Sequence, residues 1–149
     1  MIDIEQRIRS VLQHNEVKRF VDEIRKKHPD WSWTQGGCFA FAEALKKAFG
    51  AELWVVAQKE DEDWASQHAF VRYEGKFYDA TGEVTEEQLL EYGWDSSPVK
   101  IGPVDNWDDE LSLWYPVQEF VSLEEIYLLS RLLKKGANNF ASGLLGSSA

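Results

Sequence analysis

One cysteine stands among the 149 residues. A single thiol cannot close an internal disulfide, so nothing in the chain asks for an oxidising compartment. Long apolar runs are missing too: no stretch approaches the roughly 18 consecutive apolar residues of a membrane span. The N-terminal "MIDIEQRIRS" carries charge where a secretory signal needs an apolar run. These absences predict a soluble protein of the cytoplasm, its own or that of a host cell. One cysteine and three scattered histidines cannot form a standard zinc site, and no phosphate loop or dinucleotide motif occurs. "EDED" at 60–63 lacks the glycine-containing spacing of a calcium loop, so we expect neither metal nor cofactor.

Basic residues become scarce after residue 50. Residues 1–50 hold nine Lys/Arg against seven Asp/Glu, while residues 51–149 hold seven against nineteen, which gives the net −10. That balance repels phosphate backbones and excludes a nucleic-acid partner. It would attract a cationic protein or peptide, or serve solubility alone. With four prolines, ten glycines and no repeat, the chain offers no linker to divide it. One domain over 1–136 is expected, with "ANNFASGLLGSSA" at 137–149 as a flexible tail.

What is present is aromatic and patterned. Seven Trp and eight Phe favour a packed globule. Helical spacing runs through 3–28, with a break near Asn15, and the stretch before Pro29 ends it. A second helix spans Gly37 to Phe49 and stops at Gly50, with Cys38, Phe41, Ala42, Leu45, Ala48 and Phe49 on its apolar face. "ELWVVAQ" reads as a strand, "KEDEDWASQ" as an acidic loop, and "HAFVRYEGKFYDATG" as a hairpin opened by His68. Capping boxes start helices at Thr85 and Ser122, with an irregular stretch between them to about Val121. The order describes an α+β domain: a cysteine-bearing helix on a short antiparallel sheet, with helices at both ends.

Cys38 follows two glycines at a helix start. A helix N-terminus favours the thiolate, and its N–H groups can hold an oxyanion. Gly36 and Gly37 clear the approach, with Gly37 a candidate for the oxyanion site and Trp33 for a substrate wall. Trp31 and Trp33 have packing as their commoner use. His68 is the histidine placed on a strand, and Asp79 is out of character inside "KFYDATG". A two-residue turn at Glu74–Gly75 makes paired positions sum to 149, which sets His68 and Asp79 on one face as diagonal neighbours. A three-residue turn would separate them.

The order Cys, His, Asp, with "GGC" opening a helix and "HAFV…EGKFYDATG" as a hairpin, resembles the papain-like and transglutaminase-like cysteine enzyme superfamily over residues 33–82. The resemblance implies Cys38 as nucleophile, His68 as base, Asp79 as its orienting acid, and Gln35 as a candidate oxyanion residue. It implies a hydrolase of amide bonds, a peptidase first, or a related deamidase or transglutaminase acting on a protein or peptide. The rival reading is a non-catalytic acidic binding or inhibitor protein in which Cys38 is a buried core residue.

Overall fold

The computed structural model describes residues 2–60, 63–93, 98–104, 111–113 and 120–136. The N-terminal helical pattern is two helices, α1 (Ile4–Leu12) and α2 (Asn15–Lys27). The break expected near Asn15 has a cause in side chains: Asp3 caps α1, and His14 caps α2 by accepting the Glu16 N–H. α3 (Cys38–Phe49) ends at Gly50, whose φ of 70° is the left-handed conformation that favours glycine.

A sheet follows, built from β1 (Glu52–Glu60), β2 (Asp63–Tyr73), β3 (Lys76–Asp79) and β4 (Gly82–Val84). After α4 (Glu86–Leu90) come β5 (Val99–Pro103) and β6 (Leu111–Leu113), and α5 (Leu123–Lys135) closes the described chain. The strand order is β4-β3-β2-β1-β5, and β6 pairs in parallel with β2. The protein is therefore α+β, with its cysteine helix on a mainly antiparallel sheet. The capping boxes at Thr85 and Ser122 both form. Residues 137–149, read as a tail, lie outside the described residues.

Three expectations need correction. Of "KEDEDWASQ", read as a loop, residues 59–60 end β1 and residues 63–67 begin β2, with Lys59 paired to Trp64 and Gln58 to Ala65, while residues 61–62 lie outside the described residues. Packing overrides the poor strand propensity of the charged residues: the Lys59 and Lys100 ammonium groups sit 5.7 and 4.5 Å from the Trp64 ring centre. His68 is consequently inside a long strand and does not open one. The stretch read as irregular also supplies β5, whose weak internal pattern is completed by pairing with β1.

α3 carries more than one apolar stripe. Phe39, Ala40 and Ala44 are buried along with Phe41, Ala42, Leu45 and Ala48, because the helix lies between the sheet and α5. Small alanines let those layers approach, and each large buried side chain contributes roughly 1.5–3 kcal/mol relative to exposure. Arg7 ties α1 to the last turn of α5 by donating to the carbonyls of Leu133 and Lys134. The main core comprises Val55, Ala57, Ala69 and Val71 of the sheet with side chains of α1, α2, α3 and α5. A smaller cluster on the other face holds Val56, Phe70 and Leu89.

Candidate active site

Cys38 is placed by the loop before it. The Ser32 carbonyl accepts the N–H groups of Gln35 (3.2 Å) and Gly37 (3.0 Å), and the Ser32 hydroxyl accepts the Thr34 and Gln35 N–H groups. Buried Trp31 packs under this turn. A Cβ on Gly37 would lie 2.6 Å from Trp31 Cζ2 and 2.9 Å from the Ser32 carbonyl oxygen, and Gly36 has φ 103°. The two glycines are therefore required by packing and backbone, whatever else they permit. Cys38 emerges half-buried as the first residue of α3, after Gly37, which gives the helix no side-chain cap.

The hairpin sets the other two residues. β2 and β3 pair Val71 with Tyr78, Arg72 with Phe77 and Tyr73 with Lys76, the register of a two-residue turn. Glu74 (φ 51°) and Gly75 (φ 81°) both have positive φ, as a twist-matched two-residue turn requires. His68 shares a face with Phe70, and Asp79 with Phe77, so both point to the smaller cluster. On the β1 side, Val56 opposes His68 while Ala57 opposes Ser66, which leaves Gln67 as the extra residue of a β-bulge. Bulges re-aim neighbouring side chains, and this one adjoins His68.

His68 Nε2 and Asp79 Oδ2 are 2.8 Å apart, with the two side chains 0% and 4% exposed. Asp79 Oδ1 accepts both the Thr81 N–H (2.8 Å) and the Thr81 hydroxyl. Burial alone would raise the Asp79 pKa, but the bonds from His68 and Thr81 outweigh it and hold the carboxyl below its usual range. A carboxylate can only accept, so Nε2 carries the proton and neutral His68 presents a lone pair at Nδ1. Burial pulls the His68 pKa down, yet Asp79 and then Cys38 raise it above the ordinary histidine value. Nδ1 is itself buried, and among the described residues it has no hydrogen-bond partner of good geometry. The Cys38 thiol is near enough to influence the ring, though no hydrogen bond between them meets ordinary geometry among the described residues. Long or misaligned hydrogen bonds of this kind are common in catalytic sites without substrate.

The three residues meet where the sheet is incomplete. β3 pairs with β2 at residues 71–73 and β6 at 64–65, so among the described residues His68 lies between them on that edge. A side chain from α3 can reach the imidazole there without crossing a paired strand.

The remaining candidates are placed elsewhere. The Gly37 N–H is already bonded to Ser32 and is not an available oxyanion donor. Gln35 is exposed and lines a cavity with His28, Trp31 and Phe120. Trp33 packs against Phe20, Trp31 and Phe41. Tyr92 was missed by the sequence reading. Its ring stacks on His68 with centroids 3.9 Å and planes 3° apart, and nothing in "EYGW" signals this. Burial, followed by the charges of Asp79 and Cys38, pushes its phenol up to about 12. Among the described residues no group of three or more His, Cys, Asp or Glu could hold a metal ion.

Residues 17–122 match the Phage YunG-like family, and this span holds Cys38, His68, Asp79 and Tyr92. The chain belongs to that family. No curated protein and no solved structure matches it. The family span begins within α2 and ends at Ser122, the N-cap of α5, so this member's sheet, cysteine helix and stacked tyrosine all belong to the shared region. Among the described residues of this member, no helix is long and apolar enough to cross a membrane.

Proposed function

We propose that this chain is a small cysteine hydrolase acting on an amide bond of a protein or peptide, with Cys38 as nucleophile, His68 as base and Asp79 as the residue that orients it. One observation carries the reading: a buried His68–Asp79 pair at 2.8 Å whose other ring nitrogen, unbonded among the described residues, is left to the thiol at the start of α3. A purely structural buried histidine is ordinarily bonded at both nitrogens, because an unpaired buried polar atom costs roughly 1–3 kcal/mol. An Nδ1 without a hydrogen bond among the described residues fits a group that must accept a proton.

The steps follow from that tautomer. Nδ1 removes the thiol proton as sulfur bonds to the carbonyl carbon, and the carbonyl π electrons move to oxygen. The Cys38 N–H at the helix start faces the developing oxyanion, with the helix dipole behind it. Collapse breaks the C–N bond, and the imidazolium returns its proton to the departing amine. Water then adds to the thioester with His68 again as base, which releases the acid and restores the thiol. An amine in place of water gives the transfer reaction, and a glutamine side chain as donor gives deamidation.

The half-exposed position of Cys38 beside the imidazole also favours this reading over a binding protein that keeps the cysteine in its core. The cytosol of a cell or of a phage host suits a free thiol. The acidic surface would recruit a cationic substrate, in which case association weakens steeply with salt, since screening acts beyond about 8–10 Å. The direct test is Cys38→Ser with a peptide library: turnover should vanish while unfolding stability stays within about 1–2 kcal/mol. Undiminished turnover by that variant sinks the proposal.

A further inference from the structure

Tyr92 takes no part in the steps above, yet among the described residues it makes the closest ring contact of the proposed base. Its ring lies parallel to the imidazole at 3.9 Å, whereas Phe70 lies 6.3 Å from it at 17°. The position of Tyr92 is held from two directions. Its N–H donates to the Leu89 carbonyl (3.1 Å), and Leu89 is fully buried against the sheet with Val56 and Phe70. The start of α4 is fixed by the reciprocal bonds of Thr85 and Gln88. Beyond the ring is an open cleft of about 340 Å³, whose lining includes Asp79, Thr81, Gln88, Glu91 and Tyr92. Asp79 and Tyr92 both line that cleft, whereas the His68 side chain, covered by the tyrosine ring, is fully buried.

We infer that Tyr92 is a positioning residue: a flat cover that fixes the plane of the His68 ring and keeps cleft water off the hydrogen bond from His68 Nε2–H to Asp79. A parallel ring bars rotation of the imidazole, and excluding water strengthens the bond beneath it. The phenol, protonated at ordinary pH like any tyrosine and with its pKa raised further by burial, stays neutral and does not compete with Asp79 for the imidazole proton. A neutral aromatic face also suits an imidazolium when the base is charged. The inference uses the reading of His68 as base for its significance, but the cover can be measured without any substrate.

The test is water exchange of the His68 Nε2–H, followed by NMR in protein labelled with ¹⁵N-histidine and assigned by comparison with His68→Gln. The wild-type proton should be protected, and Tyr92→Phe should keep its rate within about threefold. Tyr92→Ala and Tyr92→Leu should exchange at least about tenfold faster, because a local opening then suffices to admit water. If the alanine variant does not fold, leucine supplies the test, since it keeps apolar bulk without the flat ring. Equal exchange in wild type and Tyr92→Leu overturns the inference, as does a wild-type proton that exchanges like that of an exposed histidine. Protection that depends on Tyr92 in a protein whose Cys38 is chemically inert would keep the cover and remove the catalytic reading.

Discussion

The two faces of the sheet are built differently. The main face is covered by α3, with α1, α2 and α5 completing the core, and its buried side chains are almost all apolar. The smaller face has three fully buried apolar residues, Val56, Phe70 and Leu89, and beside them the ionisable pair His68 and Asp79. One face supplies the stability of the domain, and the other uses part of its interior for polar groups that need continuous partners. Cys38 begins a helix of the first face and lies near His68 of the second. On the proposed function, the chemistry would depend on the join between an apolar layer and a polar one.

The contrast can be broken most severely at Asp79. Asp79→Asn keeps shape but loses the carboxylate that selects the Nε2–H tautomer, so turnover should fall at least about 10²-fold with the circular dichroism spectrum retained. Unchanged turnover would reduce the site to Cys38 and His68.

On the main face the opposite result is expected. Leu45 is fully buried in α3, and Leu45→Ala should lower unfolding free energy by about 2–5 kcal/mol, read by urea denaturation. The pH profile of Cys38 alkylation should keep its shape in the protein that remains folded. A reshaped profile would show that the faces are not separable. Gly37→Ala sits at the join, with its new Cβ 2.6 Å from Trp31, and should destabilise by about 1–3 kcal/mol.

The smallest effect is on stability against pH. The folded Asp79 pKa is lowered, so its contribution is present above the unfolded value and disappears as pH falls through the folded one. The folded His68 pKa is raised, so its contribution is complete below the unfolded value and is lost as pH rises through the folded one. Wild-type stability should therefore decline at both ends, below the carboxylate range and above the histidine range. Asp79→Asn should flatten both declines. Parallel curves for the two proteins would mean that the pair does not govern them.

Much of this was legible in the chain. Capping residues announced α4 and α5, the His14–Asn15 break separated α1 from α2, and Glu74–Gly75 carried a register that sums to 149. With a two-residue turn that register puts His68 and Asp79 on one face; the sequence also allowed a three-residue turn, and the observed pairing settles it. The rest depends on tertiary partners. The bulge at Gln67 exists because β1 and β2 shift against each other, and neither strand marks it locally. Strand pairing at 59–64 overrode charged residues that read as a loop. Trp31 under Gly36 and Gly37 turned an apparent substrate approach into a packing requirement. Tyr92 was invisible because it reaches His68 across 24 positions of sequence through α4.

The central claim is that His68, held by Asp79, acts on the Cys38 thiol. The most direct measurement is the iodoacetamide alkylation rate of Cys38 from pH 5 to 9, in wild type and in His68→Gln. Wild-type Cys38 should be alkylated at pH 6 much faster than the thiol of an unstructured cysteine peptide, and His68→Gln should remove this advantage. A wild-type rate at pH 6 no greater than that of the peptide, or one unchanged by His68→Gln, contradicts it.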